Sequence, residues 1–157
     1  MKLQFSGSPE VRAPKQIVWQ RLVDPRFVAG SAPGIESVEV IDSTRFRVIS
    51  GFGPRAMKAR ITLDGELFDL VPGSSAKMRL WGHGPGSSVE VLSTIAVRDA
   101  GPGQVCLNWT ATTELSGTVA NLGAKLLEGV ARKMTEQFWD DFARRVGEGE
   151  GEVRVHA

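Results

Sequence analysis

Residues 118–146, TVANLGAKLLEGVARKMTEQFWDDFARRV, carry the one long helical pattern in this chain. Leu126, Leu127, Val130, Met134, Phe138 and Phe142 recur at steps of three and four and so share one face. Lys125, Glu128, Arg132, Glu136 and Asp140 fall opposite. Thr118 is placed to cap the start, and Gly147 to end the helix in a left-handed conformation. Glu128–Arg132, Asp140–Arg144 and Asp141–Arg145 are favourably ordered pairs four residues apart. At about 1.5 Å per residue the helix is roughly 40 Å long. One apolar face of that length needs an equally long apolar surface to lie against.

The preceding chain supplies it. Leu3 and Phe5 alternate with polar residues before Gly7 and Pro9, which predicts an edge or bulged first strand over 3–11. Ala13-Pro14 opens a short helix through Ile17, Val18, Trp19 and Leu22, and Asp24-Pro25 opens a second through Phe27 and Val28. From residue 36 the apolar period changes to two. Val38 and Val40, Phe46 and Val48, and Met57, Ala59, Ile61 and Leu63 all alternate with charged or hydroxylated residues. Leu67 continues the odd phase across Asp64-Gly65, which predicts one long strand with a bulge or bend at Gly65. Met78 and Leu80, then Val89, Val91, Ile95 and Val97, then Val105, Leu107, Trp109 and Ala111 define three more strands. The connections between them are short, so neighbours run antiparallel. Strands of this length twist and coil, which predicts a curved seven-stranded sheet wrapped around the terminal helix. The class is α+β, with a single domain over 1–146 and a flexible tail over 147–157.

At 157 residues the chain can bury a sizeable core. Its net charge of +1 is spread without a basic block, which argues against nucleic-acid binding. Cys106 is the single cysteine, so no internal disulfide forms and a cytoplasmic setting is expected. No apolar run reaches a membrane span, and MKLQFSGSPEV lacks a signal-peptide core. No metal cluster, nucleotide motif or catalytic constellation stands out, so neither a metal nor a cofactor is expected. His83, in WGHGPG, reads more simply as an exposed turn residue than as an acid or base.

Two residues resist the simple pattern. Trp139 falls among the charged residues of the helix, which with Arg132 suggests a docking surface for a partner or a membrane. Gly123 lies on the apolar face, where it costs about 1 kcal/mol in helix propensity relative to alanine. Missing volume there suggests a ligand cavity lined by Met57, Trp81, Trp109, Gly123, Leu127, Val130 and Met134. A filled core is the competing reading.

One strand, two short helices, six strands and a long C-terminal helix is the order of the helix-grip, or START-like, fold. The stretches VRAPKQIVWQRLVDP (11–25), PGIESVEV (33–40), GPRAMKARI (53–61) and LGAKLLEGVARKMTEQFWDDFARRV (122–146) resemble the CoxG family, named for the G subunit of carbon monoxide dehydrogenase. The resemblance covers residues 1–146, and LGAKLLEGVARK is its most specific part. It implies an accessory protein to a molybdenum-dependent carbon monoxide dehydrogenase-like hydroxylase. The fold implies a cavity between sheet and helix for an apolar molecule such as a quinone or lipid. The leading expectation is therefore a non-catalytic, cytoplasmic binding protein, with peripheral membrane contact allowed. The alternatives are a polyketide cyclase or dehydratase-like enzyme on the same fold, and an interaction module with a filled core.

Overall fold

The computed structural model describes residues 1–52, 59–84 and 86–156. The chain forms β1 (Lys2–Gly7), β2 (Glu10–Val11), α1 (Lys15–Leu22), α2 (Pro25–Ser31), β3 (Ile35–Val40), β4 (Arg45–Phe52), β5 (Ala59–Val71), β6 (Ser75–Gly84), β7 (Ser87–Gly101), β8 (Gln104–Gly117), a 3-10 turn (Thr118–Leu122) and α3 (Ala124–His156). The eight strands make one antiparallel sheet in the order β1-β8-β7-β6-β5-β4-β3, with β2 also paired to β8. β1 and β2 are the two halves of the expected first strand, interrupted at Ser8-Pro9. Beyond the break the ladder resumes, with Leu107 N–H donating to the Pro9 carbonyl at 2.9 Å.

Cross-strand register assigns the faces. Leu3, Thr113, Val91, Leu80, Gly65, Phe46 and Val40 form one row across the sheet. That row and its neighbours look toward the helices. Arg47, Asp64, Trp81 and Glu90 form a row on the opposite face. β5 runs unbroken through Gly65, as expected, but the bend is not there. The register shifts between Phe68 and Val71, where Asp69 takes φ +48°. Gly65 has a different reason to be glycine. A Cβ there would overlap the Phe46 ring. The tip of the Phe46 ring fills the place that a side chain on Gly65 would take.

The main core is Val11, Val18, Val97, Val105, Leu107, Phe142 and Val146, with Ala13, all buried. α1, α2 and the middle turns of α3 close over it. Phe27 meets Phe142 edge to face at 5.6 Å. Spacing alone pairs Arg145 with Asp141. In the fold Arg145 instead donates to the Phe27 carbonyl (2.8 Å) and the Ser31 hydroxyl (2.5 Å) and stacks over the Phe27 ring at 4.2 Å. Asp141 pairs with Arg144 at 3.5 Å.

α3 departs from expectation at both ends. Thr118 begins the 3-10 turn, and α3 itself starts after Gly123. It does not stop at Gly147 but continues to His156.

Between β3 and β4 the Asp42 carboxylate accepts the backbone N–H groups of Thr44 (3.0 Å) and Arg45 (2.8 Å) and pairs with the Arg45 guanidinium (2.7 Å). The Thr44 hydrogen bond first, then Arg45, lower its pKa from 3.8 to about 2. A carboxyl depressed on folding stabilises fully above its unfolded value and loses that contribution as pH falls through the folded one. Between about pH 4 and pH 2, stability should therefore decline less steeply in Asp42→Asn than in the parent, as read from urea midpoints along that range. A second expectation comes from Gly65. Gly65→Ala should cost about 1–3 kcal/mol, because the Phe46 ring must move off the β5 backbone. Chemical denaturation measures this, and an unchanged midpoint would show that the ring has room to yield.

Candidate functional site

The sheet's inner face and α2 do not fill the space between them. A cavity of about 110 Å³ lies there. Phe46, Val48, Leu63, Leu67, Met78 and Leu80 form its sheet wall. Leu22, Pro25, Val28, Ala29 and Ala32 form its helical wall, and Ile35 closes one side. Every one of these side chains is apolar, so the lining has nothing to offer a charge. Its sequence origin is the phase of β4–β6, which turns Phe46 and Val48, Leu63 and Leu67, and Met78 and Leu80 inward, with Gly65 between the two leucines of β5. Short α2 then spans the sheet instead of a long, close-fitting helix. Asp24 starts that helix by accepting the Arg26 N–H at 3.1 Å, with Pro25 in the first turn.

The expected cavity residues that the structure describes do not line this space. Met57 lies outside the described residues. Trp81 is on the outer face, opposite Asp64 and Glu90, with the Arg79 guanidinium 5.0 Å from its ring. The even phase of Met78 and Leu80 already excludes it from the inner face. Gly123 sits outside α3 at φ +91°, and a Cβ there would meet nothing within 4 Å. It is glycine because the chain turns between the 3-10 segment and α3. A leucine at this position would be strained by the backbone, whatever space surrounds it. Val130 is 49% exposed, and Leu122 and Leu126 are 56% and 55% exposed. The expected apolar stripe is therefore only partly covered: its C-terminal end is core and this flank faces solvent. Leu127 and Met134 are half-buried.

Trp109 does point inward, but toward another site. With Phe5, Gly7, Pro9 and residues of α3 it lines an open groove of about 670 Å³ between β1 and the helix. Arg132, Thr135, Glu136, Trp139 and Asp140 form the helical wall. Arg132 and Trp139 thus share one surface. However, Trp139 is not a lone ring on a charged face. It stacks on Trp109 at 5.8 Å and meets Phe138 and Phe142 edge to face at 4.8 and 5.6 Å. The helix packs with its wheel rotated toward Trp139, a rotation that the stripe of six apolar residues does not disclose. Trp109 Nε1 is buried without a partner among the described residues, and a Cβ on Gly7 would come within 2.9 Å of it. The indole is pressed against the bare backbone of β1.

His83 belongs to β6, paired with Thr62 and Ser88, rather than to a loop. Among the described residues no group of three His, Cys, Asp or Glu could hold a metal ion. No helix among them is long and apolar enough to cross a membrane.

Comparison with known proteins places this geometry among relatives. The model of the CoxG family, described as the G subunit of carbon monoxide dehydrogenase, matches residues 7–147. A conserved protein from Geobacillus kaustophilus superposes with a TM-score of 0.85 at 25% identity, covering 93% of this chain and 96% of that one. A START superfamily protein from Mycobacterium smegmatis gives 0.74 at 12% identity, over 92% and 97%. The ZhuI aromatase/cyclase from Streptomyces sp. R1128 gives 0.71 at 17%, over 100% and 99%. The latter two likenesses speak to fold. Among curated proteins none matches.

The stack on Trp109 makes Trp139 structural as well as surface-lining. Trp139→Ala should lower stability by about 2 kcal/mol, less than the full cost of removing a buried tryptophan because the ring is half-buried. A thermal melt indistinguishable from the parent would mean that the stack contributes nothing.

Proposed function

The chain belongs to the CoxG family, that of the carbon monoxide dehydrogenase G subunit, and from that premise we propose that it binds an apolar small molecule in the cavity beneath α2. The cavity's all-apolar lining carries this reading. In it, affinity comes from burial of ligand surface at about 25 cal/mol per Å². Bond making is not part of the role, since an inward acid or base is what a cyclase or dehydratase would need.

A quinone head group or a lipid chain is the ligand class that fits such walls. The present volume is below the ~300 Å³ typical of sites for drug-sized ligands. It suits a ring or a short stretch of chain, and a longer molecule would have to spread the walls. α2 is the element most able to yield, being about two turns long and held to α3 largely by the Arg145 and Phe27 contacts. The family's description adds the second half of the proposal. The protein serves a molybdenum-dependent carbon monoxide dehydrogenase-like hydroxylase as an accessory, holding the apolar molecule for that enzyme.

Ala29→Phe tests the cavity. The new ring projects from α2 into the space, so stability should remain within about 1 kcal/mol of the parent, whereas a filled interface would lose about 1–3 kcal/mol. Binding of a short-chain quinone or a fluorescent fatty acid should fall at least about tenfold, measured by tryptophan quenching or probe emission. Undiminished binding in a stable Ala29→Phe protein would place the ligand elsewhere. Native mass spectrometry of freshly purified protein should show an extractable apolar molecule in the parent and not in the variant.

A further inference from the structure

The open groove beside β1 has the construction of a strand-docking site, independent of the cavity and of the reading built on it. β1 is an edge of the sheet. Its neighbour Met1 exchanges both backbone hydrogen bonds with Leu115, at 2.9 and 2.8 Å. Bonded and non-bonded pairs alternate along an antiparallel ladder. Leu3, Phe5 and Gly7 are therefore the residues bonded to β8, and Lys2, Gln4 and Ser6 turn their N–H and C=O groups outward. Gln4 and Ser6 both line the groove, as do Phe5 and Gly7. Side chains of consecutive strand residues point to opposite faces, so a groove touched by all four runs along the strand's edge.

The opposite wall is α3, and it carries charge in a regular order. Arg132, Glu136 and Asp140 follow one another at intervals of four residues, about 6 Å apart along the axis. Alternate residues of an extended strand are spaced by about 6.8 Å. One face of an added strand can therefore meet these three charges in turn. Direction follows from two contacts. Trp139 stacks on Trp109, the partner of Gly7, and Gly147 comes close to the Arg12 carbonyl. α3 thus ascends in the same sense as β1, with Arg132 toward Gln4 and Asp140 toward Pro9.

We propose that this groove binds an extended peptide segment of a partner protein as an additional antiparallel strand on β1, with basic, basic and acidic residues at alternate positions from its N-terminus. The first basic residue meets Asp140 and lays its alkyl stem over the Trp139 ring. The second meets Glu136, and the acidic residue meets Arg132. The backbone groups of Gln4 and Ser6 supply the affinity common to strand addition, and the charges supply register.

The probe is a short capped, fluorescein-labelled peptide carrying lysine, lysine and glutamate at alternate positions with threonine between them. Fluorescence anisotropy with the full chain should rise saturably and weaken with added salt. Ser6→Pro removes an outward N–H and leaves the ladder to β8 intact, so it should keep the parent melting temperature and reduce affinity at least about tenfold. The exposed pair of changes Glu136→Lys with Asp140→Lys should also weaken binding about tenfold, by converting two attractions into repulsions. A probe with glutamates in place of the two lysines should recover that loss. Absence of saturable binding by the parent overturns the proposal. So does full affinity in a folded Ser6→Pro protein, or loss of affinity in the charge variant that the exchanged probe does not recover. Binding to anionic vesicles that depends on these residues, without peptide binding, would reassign the groove to a lipid surface.

Discussion

The burial of Phe142 and Val146 fixes where everything else can be. Both are essentially inaccessible, packed on Val11, Val105, Leu107 and Val97, and a side chain so buried contributes about 1.5–3 kcal/mol. That contact pins α3 by its later turns, and the Arg145 bonds to Phe27 and Ser31 fasten α2 to the same point. Held there, the helix leaves its earlier turns standing off the sheet with Leu126 and Val130 exposed. The cavity and the groove lie on two sides of this anchorage, one under α2 and one beside β1.

The sheet answers with glycine where aromatic rings lie on its strands. Phe46 occupies the place of a Gly65 side chain, and Trp109 that of a Gly7 side chain. Each ring lines one of the two concave sites. In both places the missing side chain lets a large ring approach the backbone of the neighbouring strand. Gly82 serves closeness of another kind: a Cβ there would collide with the Thr62 carbonyl of the neighbouring strand.

Most of the architecture is legible in the residue pattern. The change of apolar period after residue 36, the Pro and Gly breaks and the long final helix are strong local signals, and they give the elements in the correct order. Pro9 announces the interrupted edge strand, and the odd phase through Leu67 announces the unbroken β5. The sites are less legible because they depend on how elements meet. The cavity's helical wall comes from Pro25, Val28, Ala29 and Ala32, residues that look like any small amphipathic turn. The bulk of Trp81 suggests a cavity wall, yet its phase sets it on the outer face. Gly123 reads as an interior helical position, while the helix starts one residue later. Trp139 reads as a charged-face residue because apolar periodicity fixes the mean direction of a stripe and not its drift along a long helix.

The tie between Arg145 and Phe27 joins residues 118 positions apart. During synthesis the sheet strands leave the ribosome before α3 does, and chains fold from the N-terminus as they emerge. A helix of seven residues is too short to persist by itself in water. Until the turns of α3 carrying Phe142 and Arg145 are released, α2 has no fixed seat, and the apolar inner face of the sheet stands open. The helical wall of the cavity is thus seated only after the strands behind it have emerged. Its closure awaits the release of Phe142, Arg145 and Val146, and an apolar molecule arriving before then meets a wall not yet in place.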